Sequence, residues 1–405
     1  MVAVRKKIHF IFPLMGIFLV WRSILFLVGY FANTFLAYDP SFPYSIGLLD
    51  TFGLPQWLYS WANFDGVHYI TITRDGYGSA SYMQAFFPIY PYFSSLLNKS
   101  IDNILLANLA LSNLSFAALL ITWYYFVKES FSKKRAFIAT IILLVFPTSL
   151  FFGAAYTESF FLLMVILSFI ATQKKKYMLT ALFVALASAT RIVGIFLIPA
   201  LFFEILFEGY TWNKMQHLVL KKKNYFVLWA QKRISKHALP LATVALGSLG
   251  LLTYMYYLAT EFGDPLYFFH VQAEFGGIRE EVVVTYPQVL YRYLKILVTA
   301  RPFDFKYYSY LQDFIAGTVG LGLLVYSATK VRLSYVIFSL LVFIAPTLTG
   351  TFSSLPRYIL VCFPLFIVLA DWTEKNRLFR YTWFIFSGIL LVLNTVLFIQ
   401  GYWVA

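Results

Sequence analysis

The stretch that decides the fold class lies near the start of the chain, over residues 5–31, and reads RKKIHFIFPLMGIFLVWRSILFLVGYF. Three basic residues precede an apolar run from Ile8 to Phe31, and a helix needs about 20 such residues to cross a bilayer. The run is too long for the apolar region of a secretory signal peptide, and no clear cleavage site follows it. The stretch therefore predicts a membrane-spanning helix that is retained in the protein.

The remainder of the 405-residue chain has the same character. It is 60% hydrophobic, 20% aromatic and only 12% charged, whereas a soluble domain carries about 25% charged residues. This balance excludes a soluble globular enzyme and a disordered protein. The lone cysteine, Cys362, lies in an apolar run and has no intrachain disulfide partner. The composition predicts an all-α polytopic membrane protein.

Eleven apolar runs are predicted to span the membrane, within a single domain that covers residues 1–405. The runs at 177–190 and 192–208 are also compatible with one long tilted helix. The predicted spans are residues 8–31, 103–127, 136–152, 155–172, 177–190, 192–208, 238–259, 308–328, 333–349, 358–372 and 381–400.

Lysine and arginine set the predicted orientation, because cytoplasmic loops carry an excess of them. With a cytoplasmic N-terminus, 22 of the 32 Lys and Arg residues fall in inner loops and nine in outer segments. The net charge of +14 is then mostly a topology signal, and nucleic acid is not an expected partner. The same bias favours two short helices that meet at Arg191. The inner basic residues are Arg5–Lys7, Lys128, Lys133–Arg135, Lys174–Lys176, Lys214, Lys221–Lys223, Lys232, Arg233, Lys236, Lys330, Arg332, Lys375, Arg377 and Arg380.

Acidic residues show the opposite bias, since 13 of the 18 fall in predicted outer segments. Two of these segments are long, residues 32–102 and 260–307, and we expect both to carry short helices in the membrane interface. The outer face is therefore the predicted place for the chemistry of this protein.

The first outer segment contains the clearest candidate for that chemistry, the stretch from Trp61 to Ile72. If this stretch is helical, Asp65, His68 and Tyr69 lie on one face at spacings of three and four residues. A partly desolvated carboxylate is suited to general-base catalysis. The alternative is a helix cap or a structural ion pair. The neighbouring Arg74 and Asp75 are compatible with substrate binding or with a local charge pair.

Several motifs together resemble a known family. The first outer segment has Phe64-Asp65-Gly66-x-x-Tyr69, then Gly76-Tyr77, then Phe86-Phe87-Pro88-x-Tyr90-Pro91. This pattern resembles the first luminal loop of PIG-V-like mannosyltransferases, which are GT-C-type glycosyltransferases, except that Phe64 stands where the family often has Trp. Further matching segments follow in the same order: Tyr156-Thr-Glu158-Ser159, Ala189-Thr190-Arg191-x-x-Gly194, Gly263-Asp264-Pro265 with His270, and Pro356-Arg357-Tyr358.

The resemblance implies a GT-C fold and an inverting sugar transfer from a polyprenyl- or dolichyl-phosphate donor. It implies mannose as the sugar and Asp65 as the base that deprotonates the acceptor hydroxyl. Arg191 and Arg357, at outer span ends, are candidates for binding the donor phosphate, because the planar guanidinium can bind two oxygens. Glu158 is a candidate for binding Arg191 or the acceptor, with an exposed loop carboxylate as the alternative. His68, Tyr69, Arg74, Asp75 and His270 complete the expected substrate-binding set.

No cofactor is expected, and a metal site is disfavoured because no HxxH, CxxC or DxD pattern occurs. A site from His270, Glu274 and Asp65 or Asp75 is the one conceivable arrangement. The expected partners are the lipid-phosphate sugar, a glycolipid or glycan acceptor, and membrane lipid. The acceptor itself stays open among a GPI precursor, an envelope glycolipid, a glycoprotein and a polyol.

Two other functional classes compete with the transferase, namely a transporter or flippase for a lipid-linked saccharide and a non-catalytic scaffold. Transporters place ionisable residues near the midplane of broken, repeated helices. Here the ionisable residues collect on one face, with Arg22 as the main exception, and no repeat is visible. The expected location is a prokaryotic cell membrane, with the N-terminus cytoplasmic and the active site extracytoplasmic. In a eukaryote the same enzyme would lie in the endoplasmic reticulum membrane.

Overall fold

The computed structural model describes residues 2–42, 45–80, 82–222, 226–274, 283–302 and 304–404. All regular secondary structure in these residues is helical, as the sequence predicts. The longer helices are Val2–Phe35, Asp65–Asp75, Ile89–Ile101, Ile104–Ser130, Lys133–Val145, Glu158–Gln173, Tyr177–Ser188, Leu197–Leu206, Trp212–Lys221, Phe226–Lys236, Ala238–Ala245, Leu249–Phe262, Tyr267–Glu274, Tyr286–Thr299, Phe305–Ser327, Leu333–Thr347, Pro364–Lys375 and Arg377–Ile399.

Short helical turns connect the longer helices in the first predicted outer segment and between the spans. Gln56–Tyr59 and Leu355–Tyr358 are single α-helical turns. Ser45–Leu49 is a π-helix, and the remaining turns are 3₁₀-helices: Asp50–Phe52, Ser60–Ala62, Met83–Ala85, Ser149–Phe152, Ile192–Phe196, Leu246–Ser248 and Ile359–Val361.

Every predicted span overlaps a helix, but fewer than eleven helices have the length of a span. Among the described residues, four are long and apolar enough to cross a membrane: Ile11–Phe35, Ile104–Ser130, Ala238–Phe262 and Arg377–Ile399. A fifth span is counted if Leu355–Val361 and Pro364–Lys375, two helices that meet at a bend of 81°, form one broken span. Membrane character is thus confirmed, whereas the count of eleven is not.

The reason for the lower count is that several predicted spans are short helices. Glu158–Gln173 has 16 residues, which rise about 24 Å, less than the hydrocarbon thickness of about 30 Å. The shorter apolar helices are Glu158–Gln173, Tyr177–Ser188, Ile192–Leu206 and Leu333–Thr347. Composition detects an apolar run but does not detect where the helix inside it stops.

The break at Arg191 is confirmed. Arg191 has an extended backbone, with φ −151° and ψ 140°, between Tyr177–Ser188 and the turn that begins at Ile192. A Cβ on Gly194 would lie 2.4 Å from the carbonyl carbon of Ala187, so only glycine permits this close return of the chain. Two short helices, and not one tilted helix, therefore occupy residues 177–206.

The chain divides into two compact units, each described here by itself. The first comprises Met1–Leu163, Arg301–Ser309 and Leu369–Ala405, and the second comprises Met164–Ala300 and Tyr310–Val368. The organisation as a single domain over residues 1–405 stays a prediction.

Acidic residues predicted to lie on the inner side take part in ion pairs within each unit. In the first unit the Arg135 guanidinium lies 2.8 Å from Asp371 and 3.0 Å from Glu374. In the second unit the buried Glu204 accepts hydrogen bonds from Arg332 and from the Ser334 hydroxyl. These carboxylates connect helices, which leaves the outer acids as the candidates for chemistry.

The orientation can be tested with single cysteines, because the native Cys362 is buried and should react little. We expect Lys175→Cys and Lys222→Cys to react with a membrane-impermeant thiol reagent from the cytoplasmic side. Asp75→Cys should react from the opposite side, since Asp75 ends helix Asp65–Asp75 of the first outer segment. Labelling of positions 75 and 175 from the same side would contradict the predicted topology.

Candidate active site

The candidate catalytic acid stands at the start of a short helix, after a residue with an unusual backbone conformation. Helix Asp65–Asp75 follows Phe64, which has φ 58° and ψ −118°, and a positive φ is uncommon for a bulky side chain. The Phe64 ring packs against three aromatic rings, with centroid distances of 4.5 Å to Phe42, 5.9 Å to Phe398 and 5.2 Å to Trp403. These contacts hold the strained backbone that directs Asp65.

Asp65 is half-buried, and its backbone N–H is hydrogen-bonded to a buried tyrosine. The Asp65 N–H donates to the Tyr156 hydroxyl oxygen at 3.2 Å, and that hydroxyl donates to the Asn63 carbonyl at 2.8 Å. The carboxylate also stands in the first turn of its helix, where the positive end of the helix dipole favours negative charge. Asp65 is therefore an anchored and partly solvent-accessible acid.

The helix places His68 and Tyr69 on the same face as Asp65, and both rings pack on aromatic neighbours. The His68 ring stacks on Phe86 at a centroid distance of 4.7 Å. Tyr69 makes edge contacts with Phe86 at 5.2 Å and with Tyr90 at 5.1 Å. The residues of the Phe86–Tyr90 motif thus form the wall against which the Asp65 helix packs.

Burial lowers the pKa of His68 below its ordinary value, and the nearby negative charge of Asp65 partly offsets that effect. His68 is only 8% exposed, so the folded protein disfavours the protonated ring. At neutral pH the imidazole is uncharged and acts as a hydrogen-bonding and stacking group beside Asp65.

This shift predicts an acid-sensitive stability. The unfolded state gains a proton on His68 below about pH 6.5, whereas the folded state takes it up only at lower pH. Stability should therefore fall as the pH decreases from about 6.5. His68→Gln should flatten this part of the dependence, measured as the thermal unfolding midpoint of purified protein across that range. A parallel decline in both proteins would contradict the assignment.

Glu158 is fully buried, which contradicts the alternative of an exposed loop carboxylate. It begins helix Glu158–Gln173, two residues after Tyr156. Its charge adds to burial in raising the pKa of Tyr90 above its ordinary value, which places Glu158 near that hydroxyl. Glu158 therefore belongs to the same buried surroundings as Tyr156 and Tyr90.

A chain of hydrogen bonds joins these tyrosines. The Tyr90 hydroxyl donates to the Asn108 carbonyl at 2.9 Å and bonds the Ser112 hydroxyl at 2.7 Å. Ser112 Oγ donates to the Tyr156 carbonyl at 2.9 Å. Helix Ile104–Ser130 is thus the support on which the two motifs around Asp65 and Glu158 are assembled.

Arg74 and Asp75 form a local pair at the end of the Asp65 helix. The Arg74 Nε lies 3.0 and 2.9 Å from the two carboxylate oxygens of Asp75, and both side chains are partly exposed. The helix ends after Asp75 at Gly76, which has φ 78°. Because its carboxylate is bound by its own neighbour, Asp75 is a weaker candidate base than Asp65.

Arg22 is buried inside the first unit, at 5% exposure. Its guanidinium lies 4.0 Å from the Phe26 ring centroid and 4.1 Å from that of Trp61, and Nη2 donates to the Gly153 carbonyl at 2.8 Å. The Trp61 carbonyl in turn accepts from the Ala155 N–H at 2.9 Å. Arg22 therefore connects the first helix to the segments that precede Asp65 and Glu158.

The fit of Arg22 against Gly153 gives a stability prediction. A Cβ at Gly153 would lie 2.6 Å from Arg22 Nη1, so Gly153→Ala should displace the guanidinium and cost about 1–3 kcal/mol. The double variant Gly153→Ala/Arg22→Ala should lose less stability than the two single variants lose together, because the guanidinium that would clash with the added methyl group is absent. Thermal or denaturant unfolding of the three variants measures this coupling.

Gly16→Ala provides the control, since nothing lies within 4 Å of an added Cβ there and its effect should be small. Additive losses in the double variant would show that Gly153 and Arg22 do not act on each other.

The second unit brings Arg191 to the motif that contains Arg357. The Arg191 guanidinium lies 4.9 Å from the ring centroid of Tyr358, the residue after Arg357. Arg357 is buried in the helical turn Leu355–Tyr358, which follows Ser354 with φ 66°. Arg191, from the end of one predicted span, thus contacts the motif that contains Arg357.

His270 forms a surface pair with Asp264. Its Nδ1 is 2.6 Å from Asp264 Oδ2, and this bond, with the Leu266 N–H, lowers the pKa of the Asp264 carboxyl. The side chain of Glu274 lies outside the described residues. Within those residues no group of three His, Cys, Asp or Glu side chains has the arrangement of a metal site.

Six of the nine predicted site residues lie in the first unit and three in the second. Those of the first unit are Asp65, His68, Tyr69, Arg74, Asp75 and Glu158, and those of the second are Arg191, His270 and Arg357. A cavity of about 280 Å³ in the second unit is lined by none of them. It is bordered by Thr172, Gln173, Lys175, Tyr177, Glu204, Ile205, Glu208, Lys236 and His237.

Sequence reasoning did not identify the supporting residues of this site. The Tyr156 hydroxyl and the strained Phe64 backbone were absent from the predicted set, although both residues stand inside the quoted motifs. The buried Asp313, which accepts a hydrogen bond from Tyr293 at 3.1 Å, is also absent from the predicted set. Motif position indicated importance, but the roles depend on contacts between distant segments.

No family model matches the chain, and no curated protein matches it. Structures of the oligosaccharyltransferase of Archaeoglobus fulgidus are similar to it. The apo form has a TM-score of 0.45 at 12% identity, over 96% of this chain and 56% of that chain. The form tethered with an acceptor peptide has a TM-score of 0.44 at 13% identity, over 95% and 55%.

The complex with an inhibitory peptide and a dolichol-phosphate has a TM-score of 0.42 at 13% identity, over 95% of this chain and 56% of that chain. This chain therefore spans about half the length of the structures it is similar to.

Proposed function

We propose that the protein is a GT-C-type glycosyltransferase that uses a polyprenyl- or dolichyl-phosphate-linked sugar. The motifs of the protein resemble those of PIG-V-like mannosyltransferases, which supports mannose as the sugar. The acceptor is a hydroxyl of an extracytoplasmic lipid-linked or protein-linked glycan. The acceptor oxygen attacks the anomeric carbon, and the bond between that carbon and the phosphate oxygen breaks with inversion. The lipid phosphate leaves with the bonding electrons, and the acceptor proton passes to Asp65.

The observation that carries the proposal is the position of Asp65. It is an anchored, half-buried carboxylate at the first turn of its helix, behind a strained Phe64 that aromatic contacts hold in place. Backbone strain of this kind persists where the surrounding structure over-determines it, and such strain is concentrated at functional sites. Asp75 is already bound by Arg74 and Glu158 is fully buried, so Asp65 is the better base.

The arginines of the second unit fit the other half of the reaction. A lipid-phosphate leaving group develops negative charge in the transition state, and fixed cations stabilise it. Arg191 and Arg357 are two cations gathered at the Tyr358 motif, and we assign them to the donor phosphate. No comparable assignment supports a transporter, because Arg22 has a packing role against Trp61 and Phe26.

The direct test of this function is a transfer assay. Purified protein is incubated with radiolabelled polyprenyl-phosphate mannose and extracted lipids, and the labelled product is identified after separation. Formation of a labelled glycolipid or glycan is the expected result. If no acceptor fraction yields a labelled product, the assignment of the sugar or of the reaction is wrong.

Asp65→Asn should fold and transfer almost no sugar. The substitution keeps the size of the side chain but removes the base, and loss of a general base costs about a hundredfold to ten-thousandfold in rate. Asp65→Glu should also keep little activity, because one more methylene displaces the carboxylate from the acceptor. The initial rate of transfer at saturating donor measures both variants.

Asp102→Asn is the matched control, since Asp102 is exposed in the same unit and its positive φ of 54° suits asparagine. This control should keep parental activity. If Asp65→Asn retained more than about a tenth of the turnover, above what loss of a general base allows, the base would be reassigned to Glu158 or Asp75.

Arg357→Ala should weaken the use of the lipid-phosphate donor more than Arg357→Lys does. Lysine keeps a point charge but loses the two-pronged geometry of the guanidinium. Arg191→Ala should behave similarly if both side chains contact the phosphate. Donor concentration dependence of the transfer rate gives the measurement, and unchanged donor dependence in both alanine variants would identify these arginines as structural.

A further inference from the structure

Half of the net positive charge of the chain is concentrated in one segment, residues 209–237, which we call the basic segment. It contains seven Lys and Arg residues and no Asp or Glu, against a net charge of +14 for the whole chain. A loop that only marked the cytoplasmic side would need fewer. The basic residues are Lys214, Lys221, Lys222, Lys223, Lys232, Arg233 and Lys236.

The first helix of this segment, Trp212–Lys221, separates apolar from basic side chains. Trp212 and Val219 are seven residues apart and share one face, with Leu220 beside them. Lys214 and Lys221 are also seven residues apart, but they lie about 200° around the helix from Trp212 and from Val219, respectively. The helix is therefore amphipathic, with a cationic polar face.

The second helix, Phe226–Lys236, repeats this arrangement. Val227 and Ile234 are seven residues apart on one face, whereas Lys232 and Lys236, one turn apart, lie on the other side. In both helices the apolar face is exposed: Leu220 is 76% and Val227 66% accessible. Exposed apolar side chains next to clustered cations are typical of helices that lie in a membrane interface.

The inward side of the segment is already packed against its own unit. The Trp229 ring lies 5.7 Å from Phe207, and Lys222 and Arg233 stack on it at 5.6 and 5.4 Å. The Trp212 N–H donates to the Ala328 carbonyl at 3.1 Å. The exposed apolar face is therefore the outward face of a docked element.

The position along the chain brings this outward face to a membrane boundary. The candidate span Ala238–Phe262 begins two residues after Lys236, and only 17% of its apolar window is buried inside the protein. A span so little covered faces lipid, so the helix that leads into it starts at the lipid headgroups.

We propose that the basic segment is a docking surface for anionic lipid headgroups on the predicted cytoplasmic side. Its apolar side chains enter the boundary between headgroups and acyl chains, and its lysines bind the negative lipid surface. Charge complementarity favours this occupant over a soluble partner, because seven cations without an acid match a surface of uniformly negative charge. The proposal is independent of the sugar-transfer chemistry.

Local fluorescence tests the proposal in the full-length protein. In a Cys362→Ser background, Leu220→Cys or Val227→Cys is labelled with an environment-sensitive fluorophore. The protein is reconstituted in vesicles of phosphatidylcholine or of an equal mixture of phosphatidylcholine and phosphatidylglycerol. We expect emission at shorter wavelength in the anionic vesicles, together with quenching by lipids brominated near the headgroup. Raising the salt concentration should reverse most of both effects.

A matched pair of triple variants separates local binding from general charge. Lys221→Gln/Lys232→Gln/Lys236→Gln should lose most of the anionic-vesicle shift. Lys133→Gln/Lys134→Gln/Arg377→Gln removes the same charge from another exposed site on the same predicted side and should keep the shift. Size-exclusion profiles and unfolding midpoints, expected to match the parent, confirm that both variants are folded.

Three results would overturn the proposal. Identical emission in the two kinds of vesicle would show that headgroup charge does not matter. Equal loss in the two triple variants would assign the effect to net charge alone. Equal access of aqueous iodide to the fluorophore in both kinds of vesicle would show a face open to the solvent, as a soluble partner requires.

Discussion

A chain this apolar must pair the polar groups of its backbone internally, because lipid offers them no partners. Helices meet this requirement within each span. The backbone groups that still need hydrogen-bond partners are therefore those at the ends of helices. In the first unit the last helix ends beside the first outer segment: the Gln400 carbonyl accepts from the Asp39 N–H at 2.9 Å and the Phe398 carbonyl from Asn63 at 2.8 Å. The end of the chain thus closes the loop that holds the candidate acid.

That closure explains why the Asp65 helix begins where it does. Phe64 is held with positive φ between Phe42 and the rings of Phe398 and Trp403, and Asn63 is bound from the same side. Tyr156, in the connection that precedes helix Glu158–Gln173, then fixes the Asp65 backbone. Pre-organisation of this kind positions the backbone from which the Asp65 carboxylate projects.

Buried polar groups in the first unit act as connectors. Arg22 joins the first helix to Trp61 and Gly153, and the Ser112 hydroxyl joins Tyr90 to Tyr156. Burying a polar group costs free energy unless it is hydrogen-bonded. Each of these groups therefore limits how its neighbours can move. The same principle operates at Glu204 and Arg332 of the second unit, on the predicted inner side.

The sequence by itself determined the helical class, the membrane character, the break at Arg191 and the shared face of Asp65, His68 and Tyr69. These follow from composition and local periodicity, which a chain carries wherever it folds. Only the tertiary structure decided that Glu158 is buried, that Asp75 is bound by Arg74, and that Phe64 is strained. It also decided which apolar runs are long enough to span, since helix ends depend on caps and packing. Contacts such as Phe64 with Phe398 join residues more than three hundred positions apart, and no local pattern encodes them.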